Sequence, residues 1–363
     1  MKKIDIESFK RLSQKRERRR LKRLKQRKTV SFKKRFKKRN LSNRKKIIEI
    51  IIPEILDLKE NRGPLISLIN KIRDVILSRS HFSIDHSNMK IISEEALLLL
   101  TSEIERSTTV TGMKLRAIRK LFPRNDNILR LLNKIGYWDY FNLGIDEDKT
   151  DNTTGEKIYL KIVGDTEVSG EKIGNLIQFF EKLISFEAMT KDKFSDAMLE
   201  AAANTVEHAY TEFGPIKTIK KWWLTASLNK NTNEISFIFY DQGLGILNTL
   251  EATQKQIRLK RLFMGWISEG LSKGGILRKL MTTNLSSYKD ARRGNGLISF
   301  KSFIDEVESG ELTIYTDNVS YSAMSDEIIN YDNDIIGTLI SWKIKVNNGS
   351  NKCMYIKGDK RDE

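Results

Sequence analysis

The stretch Glu200-Ala-Ala-Ala-Asn-Thr-Val-Glu-His-Ala-Tyr210 sets an acid, an amide and an imidazole at Glu200, Asn204 and His208. Spacing of four places them on one face of a helix, because residues i and i+4 are neighbours there. Three consecutive alanines favour that helix, and nothing from Asp196 to Tyr210 interrupts it. Glu200 can then serve as a general base beside an Asn204 carbonyl able to hold a hard cation. A solvated stripe on an ordinary amphipathic helix has the same spacing, so the segments around it must decide.

Downstream, Trp222–Leu228 and Ile235–Tyr240 read as paired strands joined by a turn at Asn229–Asn233. The second strand runs into Tyr240-Asp241-Gln242-Gly243-Leu244-Gly245-Ile246. A carboxylate leaving a buried strand can accept hydrogen bonds from an amino group, and the two glycines let backbone approach a flat ligand. A third segment, Arg293-Gly294-Asn295-Gly296-Leu297, opens a helix predicted to run to Val307, where free amides can meet phosphate. A fourth, Ile336-Gly337-Thr338-Leu339, lies in a terminal strand ending near Val346. Between the second and third, Leu247–Arg292 is too long for a structureless loop. Helices are expected there at Gln254–Trp266 and Lys273–Met281, with Gly274 and Gly275 as a hinge. The segment is basic; Arg292 and Arg293 are the nearest candidates for phosphates, and the other cations suit solvated helix faces or a partner surface.

In this order, Glu-x-x-x-Asn-x-x-x-His-Ala-Tyr on a helix, Asp-x-Gly-x-Gly-Ile after a strand, Arg-Gly-x-Gly-Leu opening a helix and a late Gly-Thr closely resemble the Bergerat ATP-binding fold. That is the GHKL superfamily of gyrase, heat-shock chaperone, histidine kinase and MutL-type ATPases. The His-Ala-Tyr ending is most similar to the anti-sigma-factor serine kinases. The resemblance spans residues 155–346 and implies ATP and Mg²⁺ as cofactors. By it, Asn204 coordinates Mg²⁺ that bridges the phosphates, and Asp241 accepts the adenine amino group with Thr338 nearby. Gly243, Gly245 and Ile246 shape the adenine wall, Arg293, Gly294, Asn295, Gly296 and Leu297 meet the phosphates, and Glu200 is the catalytic base. His208 on that face is read as packing or capping.

Upstream, Ile47–Pro53 is β-branched and strand-like, Pro64–Leu77 has helical periodicity, Phe82–Asp85 alternates, and Ser93–Ile104 begins like a helix at Ser93-Glu94-Glu95. A short β-like stretch at Ser107–Thr111 and a helix at Ile128–Ile135 complete a strand–helix alternation that implies an α/β layer. The order resembles a STAS domain, the fold of anti-anti-sigma factors, most clearly at Phe82–Leu97 and Leu131–Tyr137. Where such regulators carry a phosphorylatable serine this chain has Ser93-Glu94-Glu95-Ala96, so an acid stands for the phosphoacceptor; a plain acidic helix start explains it equally well. The polar stretch Asp146–Gly155 reads as the linker.

The net charge of +18 is localised. Residues 1–46 hold 23 Lys and Arg against Asp5, Glu7 and Glu17, whereas the other 42 basic residues face 44 acidic ones. Within the arm, Arg18, Arg19, Arg20, Lys22 and Arg23, then Lys33, Lys34, Arg35, Lys37, Lys38 and Arg39 form two dense clusters. Like charges favour disorder in the free arm, helix once neutralised, and RNA or DNA as the partner through counterion release. An acidic protein, a membrane surface and simple solubility compete with that reading. One cysteine, Cys353, excludes a disulfide framework, and the lack of a long apolar run or secretory leader points to a cytoplasmic protein with no membrane span.

The expected fold class is therefore α/β, built as two sandwiches: a basic arm at 1–46, a STAS-like domain at 47–145, a Bergerat ATP-binding domain at 155–350, and a tail at 351–363. The expected function is an ATP-binding, ATP-hydrolysing regulatory switch acting on a protein or nucleic-acid partner. The alternatives are an anti-sigma-type protein serine kinase, a nucleic-acid-associated ATPase effector of a stress or antiviral system, and a scaffold that ATP only stabilises. A protein partner at the STAS-like domain and a homodimer stay open.

Overall fold

A computed structural model describes residues 47–143, 157–181, 188–210, 217–252, 257–282, 296–307 and 309–345. The β-branched opening forms strand β1 (Ile48–Ile51), followed by β2 (Ile55–Leu56) and helix α1 (Arg62–Leu77). Then come β3 (Phe82–Asp85), β4 (Ile91–Ile92) and helix α2 (Glu94–Thr111). Strand β1 pairs with β3, and β2 runs parallel to β4, so these strands make two two-stranded ladders. Helix α1 buries Leu65, Leu68, Ile69, Ile72 and Ile76 at helical spacing, packing on α2.

Ser93 caps α2 by accepting a hydrogen bond from the Ala96 amide, and Gly112, with φ of 67°, ends it in the left-handed region. The expected strand at Ser107–Thr111 is instead the last turn of α2. Thr108 and Thr111 donate back to the carbonyls of Ile104 and Ser107, which satisfies their hydroxyls within the helix and overrides their β preference. Asn125 caps helix α3 (Asp126–Lys134), and a 3₁₀ turn at Tyr137–Phe141 closes the region. There Tyr137, Trp138 and Phe141 enclose the buried His86 ring, whose Nε2 lies 2.9 Å from the Tyr137 hydroxyl.

The linker predicted at Asp146–Gly155 lies outside the described residues. After it come β5 (Lys157–Asp165), α4 (Gly170–Glu181), α5 (Ala188–Asn204), β6 (Trp222–Asn229) and β7 (Glu234–Asp241). Helices α6 (Ile246–Ala252), α7 (Ile257–Ser268), α8 (Lys273–Thr282) and α9 (Gly296–Asp305) precede β8 (Ser309–Ser322) and β9 (Glu327–Lys345). The five strands form one antiparallel sheet in the order β5-β6-β7-β9-β8. Strand β8 has no counterpart in the sequence reading: Thr316-Asp317-Asn318 interrupts its alternation, and the ladder shifts register there.

One sheet face is apolar. Trp222, Leu224, Phe237, Phe239 and Trp342 meet Ile173 and Leu176 of α4, Phe194 and Met198 of α5, and Phe300 and Phe303 of α9. Period-2 alternation turns Trp223, Thr225, Ser227, Ser236 and Ser341 the other way. Helix α2 covers that second face with acids. The Ser227 hydroxyl bonds Glu94 at 2.8 Å, Ser341 bonds Glu95 at 3.0 Å, and the Trp223 indole bonds Glu105 at 2.6 Å. The described residues from Glu49 onward belong to one compact unit, which takes in both stretches that the sequence reads as separate domains. A sheet buried on both faces explains why nearly every residue of β6 and β7 is buried.

Candidate functional site

The α-helix expected to run to Tyr210 stops at Asn204 and continues as a π turn, Thr205–Ala209. Thr205 donates to the Ala201 carbonyl at 3.0 Å, a backbone-directed bond that competes with regular helix at that point. Such turns carry an extra residue and recur at functional sites. Their effect is to split the predicted stripe. Glu200 and Asn204 remain one α turn apart and hydrogen-bonded to each other. His208, displaced by the π turn, sits with Nε2 3.7 Å from the Glu207 carboxylate and is partly exposed. Burial raises the Glu200 carboxyl above its ordinary value, Glu207 adds to the rise, and His208 and Asn204 oppose it.

At the other end of the turn, the chain passes directly under the Asp241 loop. The Leu244 amide donates to the Ala209 carbonyl at 2.8 Å. A Cβ on Gly243 would strike that same carbonyl, so only glycine fits. Asp241 ends β7 in register with Thr338 of β9 and is 7% exposed. Its Oδ1 accepts the Gly243 amide at 2.8 Å, and the Thr338 amide also donates to the carboxylate. Burial outweighs both bonds and raises the group to about 7.

Gly245 and Gly337 complete the cradle, each with φ near the left-handed region at 84° and 80°. A Cβ on Gly337 would enter the Asp241 carbonyl, and one on Gly245 would come to 2.6 Å from the Thr316 hydroxyl. Ile246, half-buried at the start of α6, donates its amide to Thr316 Oγ1 at 3.1 Å. The structure thus brings the helix end, the Asp-x-Gly-x-Gly-Ile loop and Gly337-Thr338 together. Of the third segment, Arg293, Gly294 and Asn295 lie outside the described residues, Gly296 begins α9, and Leu297 packs half-buried on the core. The arm residues Arg18 to Arg39 are also outside them.

The predicted hinge is not one. Gly274 is buried within α8, where a Cβ would strike Ile328 of β9; it is a packing glycine, and Gly275 continues the same helix. Two cations of this segment are paired at the surface. Arg278 pairs with Asp326, and Lys279 pairs with Glu269 and lies 5.1 Å from the centre of the Trp266 ring. Sequence reasoning also missed Thr316, hidden in a strand it did not foresee, and Gln242 and Tyr210, whose contacts are long-range.

No protein-family model matches the chain, and no curated protein matches it. Among the described residues, no group of three or more His, Cys, Asp or Glu could hold a metal ion, and no helix is long and apolar enough to cross a membrane.

Proposed function

We propose that the protein binds Mg·ATP through a Bergerat-type arrangement and hydrolyses it, acting as a nucleotide-driven switch. The observation that carries this reading is the Asp241 carboxylate, buried at a strand end opposite Thr338 and framed by Gly243, Gly245 and Gly337, whose Cβ positions backbone or hydroxyl atoms already crowd. The glycines let the helix end, the loop and β9 close around this carboxylate, and a buried carboxylate at a strand end can accept from the amino group of a flat heterocycle. The residues present fit the nucleotide at its adenine end. At the phosphate end the reading assigns the metal to Asn204, which is bonded to Glu200, and the phosphates to the helix start at Gly296.

Mg·ATP held at Asp241 and Asn204 would supply a phosphoanhydride and a cation to offset the charge developing on it. Glu200, half-buried and raised above an ordinary carboxylate, is suited to take a proton from an attacking water. Asn204 lies one turn further along and holds Glu200 by a hydrogen bond, so metal ligand and base are fixed relative to one another. His208 takes no step. In the free chain the Gly243 and Thr338 amides hold the Asp241 carboxylate in place, which preorganises it for the base.

The dense positive charge of residues 1–46 favours RNA or DNA as the partner that the switch serves. Incubation with γ-labelled ATP and Mg²⁺, with and without RNA or DNA, tests the reading in the wild type, Glu200→Ala and Asn204→Ala. Phosphate release by the wild type that is lost in Glu200→Ala, with weakened binding in Asn204→Ala, is the expected result. Label transferred to an added protein would instead indicate a kinase, and ATP recovered intact a scaffold. Full turnover by Glu200→Ala would remove the base.

A further inference from the structure

The second sheet face contains a buried ionic cluster that the proposed reaction does not use. Glu103 of α2 is fully buried, with Arg73 of α1 at 2.9 Å from Oε2, Arg106 on Oε1, and the Ser107 hydroxyl at 2.5 Å. One buried guanidinium, Arg106, and one partly buried, Arg73, fix the carboxylate between them, because a shift leaves charge unpaired at low dielectric. The remaining partner of Glu103 is Gln242, whose Nε2 reaches Oε2 at 3.4 Å.

Gln242 stands between Asp241 and Gly243. Alternation sends the Asp241 carboxylate to the α5 face and the Gln242 amide to the α2 face of the same backbone. The Gln242 backbone N–H donates to the Tyr210 hydroxyl at 3.1 Å, and that hydroxyl donates to the Lys221 carbonyl at 2.5 Å. Helix α2 also holds the segment leading into β6: Arg106 donates to the Lys217 carbonyl, and the Lys221 side chain pairs with Glu105 at 2.5 Å. The cluster therefore grips the adenine-side loop through Gln242, and through Tyr210 the chain leaving the π turn beyond Glu200 and Asn204.

We infer that Gln242 and the Arg73–Glu103–Arg106 cluster are positioning residues for the nucleotide site, coupling helices α1 and α2 to the Asp241–Gly245 loop. The inference rests on the Mg·ATP reading for its consequence, and on the hydrogen-bond chain for its existence. Reciprocity follows: what fixes the loop for ATP must also fix α2 when ATP binds.

Gln242→Met keeps the side-chain bulk and removes the amide. Arg73→Met acts from α1 without touching the loop, and stands in should the first variant not fold. Ser341→Ala cuts the Glu95 contact at the far end of α2 as a control. Hydrogen exchange of the nucleotide-free chain is expected to show faster exchange at Gly243–Ile246 in Gln242→Met and Arg73→Met, and wild-type rates there in Ser341→Ala. ATP binding is expected to weaken by ~10-fold in the first two, within the usual range of coupling between sites. Added ATP should slow exchange around Glu103–Ser107 in the wild type. Unchanged loop exchange in Gln242→Met and Arg73→Met overturns the inference, as does an equal effect of Ser341→Ala. If the wild type binds no ATP, the proposed function fails by itself and the exchange measurements still decide the linkage.

Discussion

The two faces of the five-stranded sheet are covered by different chemistry. Against α4, α5 and α9 the sheet presents tryptophan, phenylalanine and leucine, and each large side chain buried there stabilises by about 1.5–3 kcal/mol. Against α2 it presents serines, Trp223 and Lys343, which meet Glu94, Glu95 and Glu105 in oriented bonds. A neutral hydrogen bond nets only about 1 kcal/mol, but a buried charge left without its partner costs about 3–5 kcal/mol. The apolar face therefore supplies bulk stability, and the polar face fixes position. The proposed nucleotide site lies where the two meet, at Asp241 and Gln242.

The largest effects should come from one deletion on each face. Trp342→Ala removes a fully buried indole and should cost ~3–5 kcal/mol in urea unfolding. Glu103→Ala strands Arg73 and Arg106, and a similar ~3–5 kcal/mol loss is expected. If the second loss is under about 1 kcal/mol, the polar face is wet, and the contrast between the faces collapses.

Titration sharpens the comparison next. His86 in its aromatic enclosure is lowered from 6.5 to about 4 by burial, with Asp85 opposing. Folding thus favours the neutral ring: its stabilisation is complete above pH 6.5 and is lost as pH falls toward 4. Asp241 has the opposite sign. Its folded value of about 7 lies above the ordinary 3.8, so folding favours the protonated acid, and the cost of burying its charge is relieved as pH falls from 7. Each contribution is on the order of 3–4 kcal/mol at 1.36 kcal/mol per unit. The wild type should therefore show a shallow stability profile between pH 6.5 and 4, whereas Asp241→Asn should fall steeply, with the His86 loss unopposed. Parallel profiles for the two proteins would contradict the assignment of Asp241.

Gly243→Ala forces a methyl into the Ala209 carbonyl, and should cost about 1–3 kcal/mol while weakening ATP binding. The smallest effect belongs to Ser341→Ala, about 1 kcal/mol of stability, because Lys343 still pairs with Glu95. That variant should leave ATP affinity unchanged.

Much of the sheet was legible in the sequence because period-2 alternation and the Asn229–Asn233 turn are local signals; Asn229 accepts the amides of Asn231 and Thr232 as such turns require. Glu200 and Asn204 were legible for the same reason, since i,i+4 spacing is local. The π turn was not, because a run of helix formers gives no sign of it and its end is tied to a loop from across the fold, the Leu244 amide donating to the Ala209 carbonyl. Glu94 and Glu95 looked like ordinary first-turn acids. Their partners, Ser227 and Ser341, lie 133 and 246 residues away, a distance no local pattern reports. The threonines at the end of α2 misled for the converse reason: β preference is weak beside a helix already capped and packed.

Calorimetric titration of the wild type and Asp241→Asn with ATP and with GTP, in Mg²⁺ at pH 8, tests the central claim most directly. At that pH the carboxylate is largely ionised and able to accept from the adenine amino group, for which guanine offers a carbonyl. The account predicts that the wild type binds ATP and discriminates against GTP, and that Asp241→Asn loses both affinity and discrimination. A wild type that binds no ATP, or an Asp241→Asn protein that binds it equally well, would contradict it.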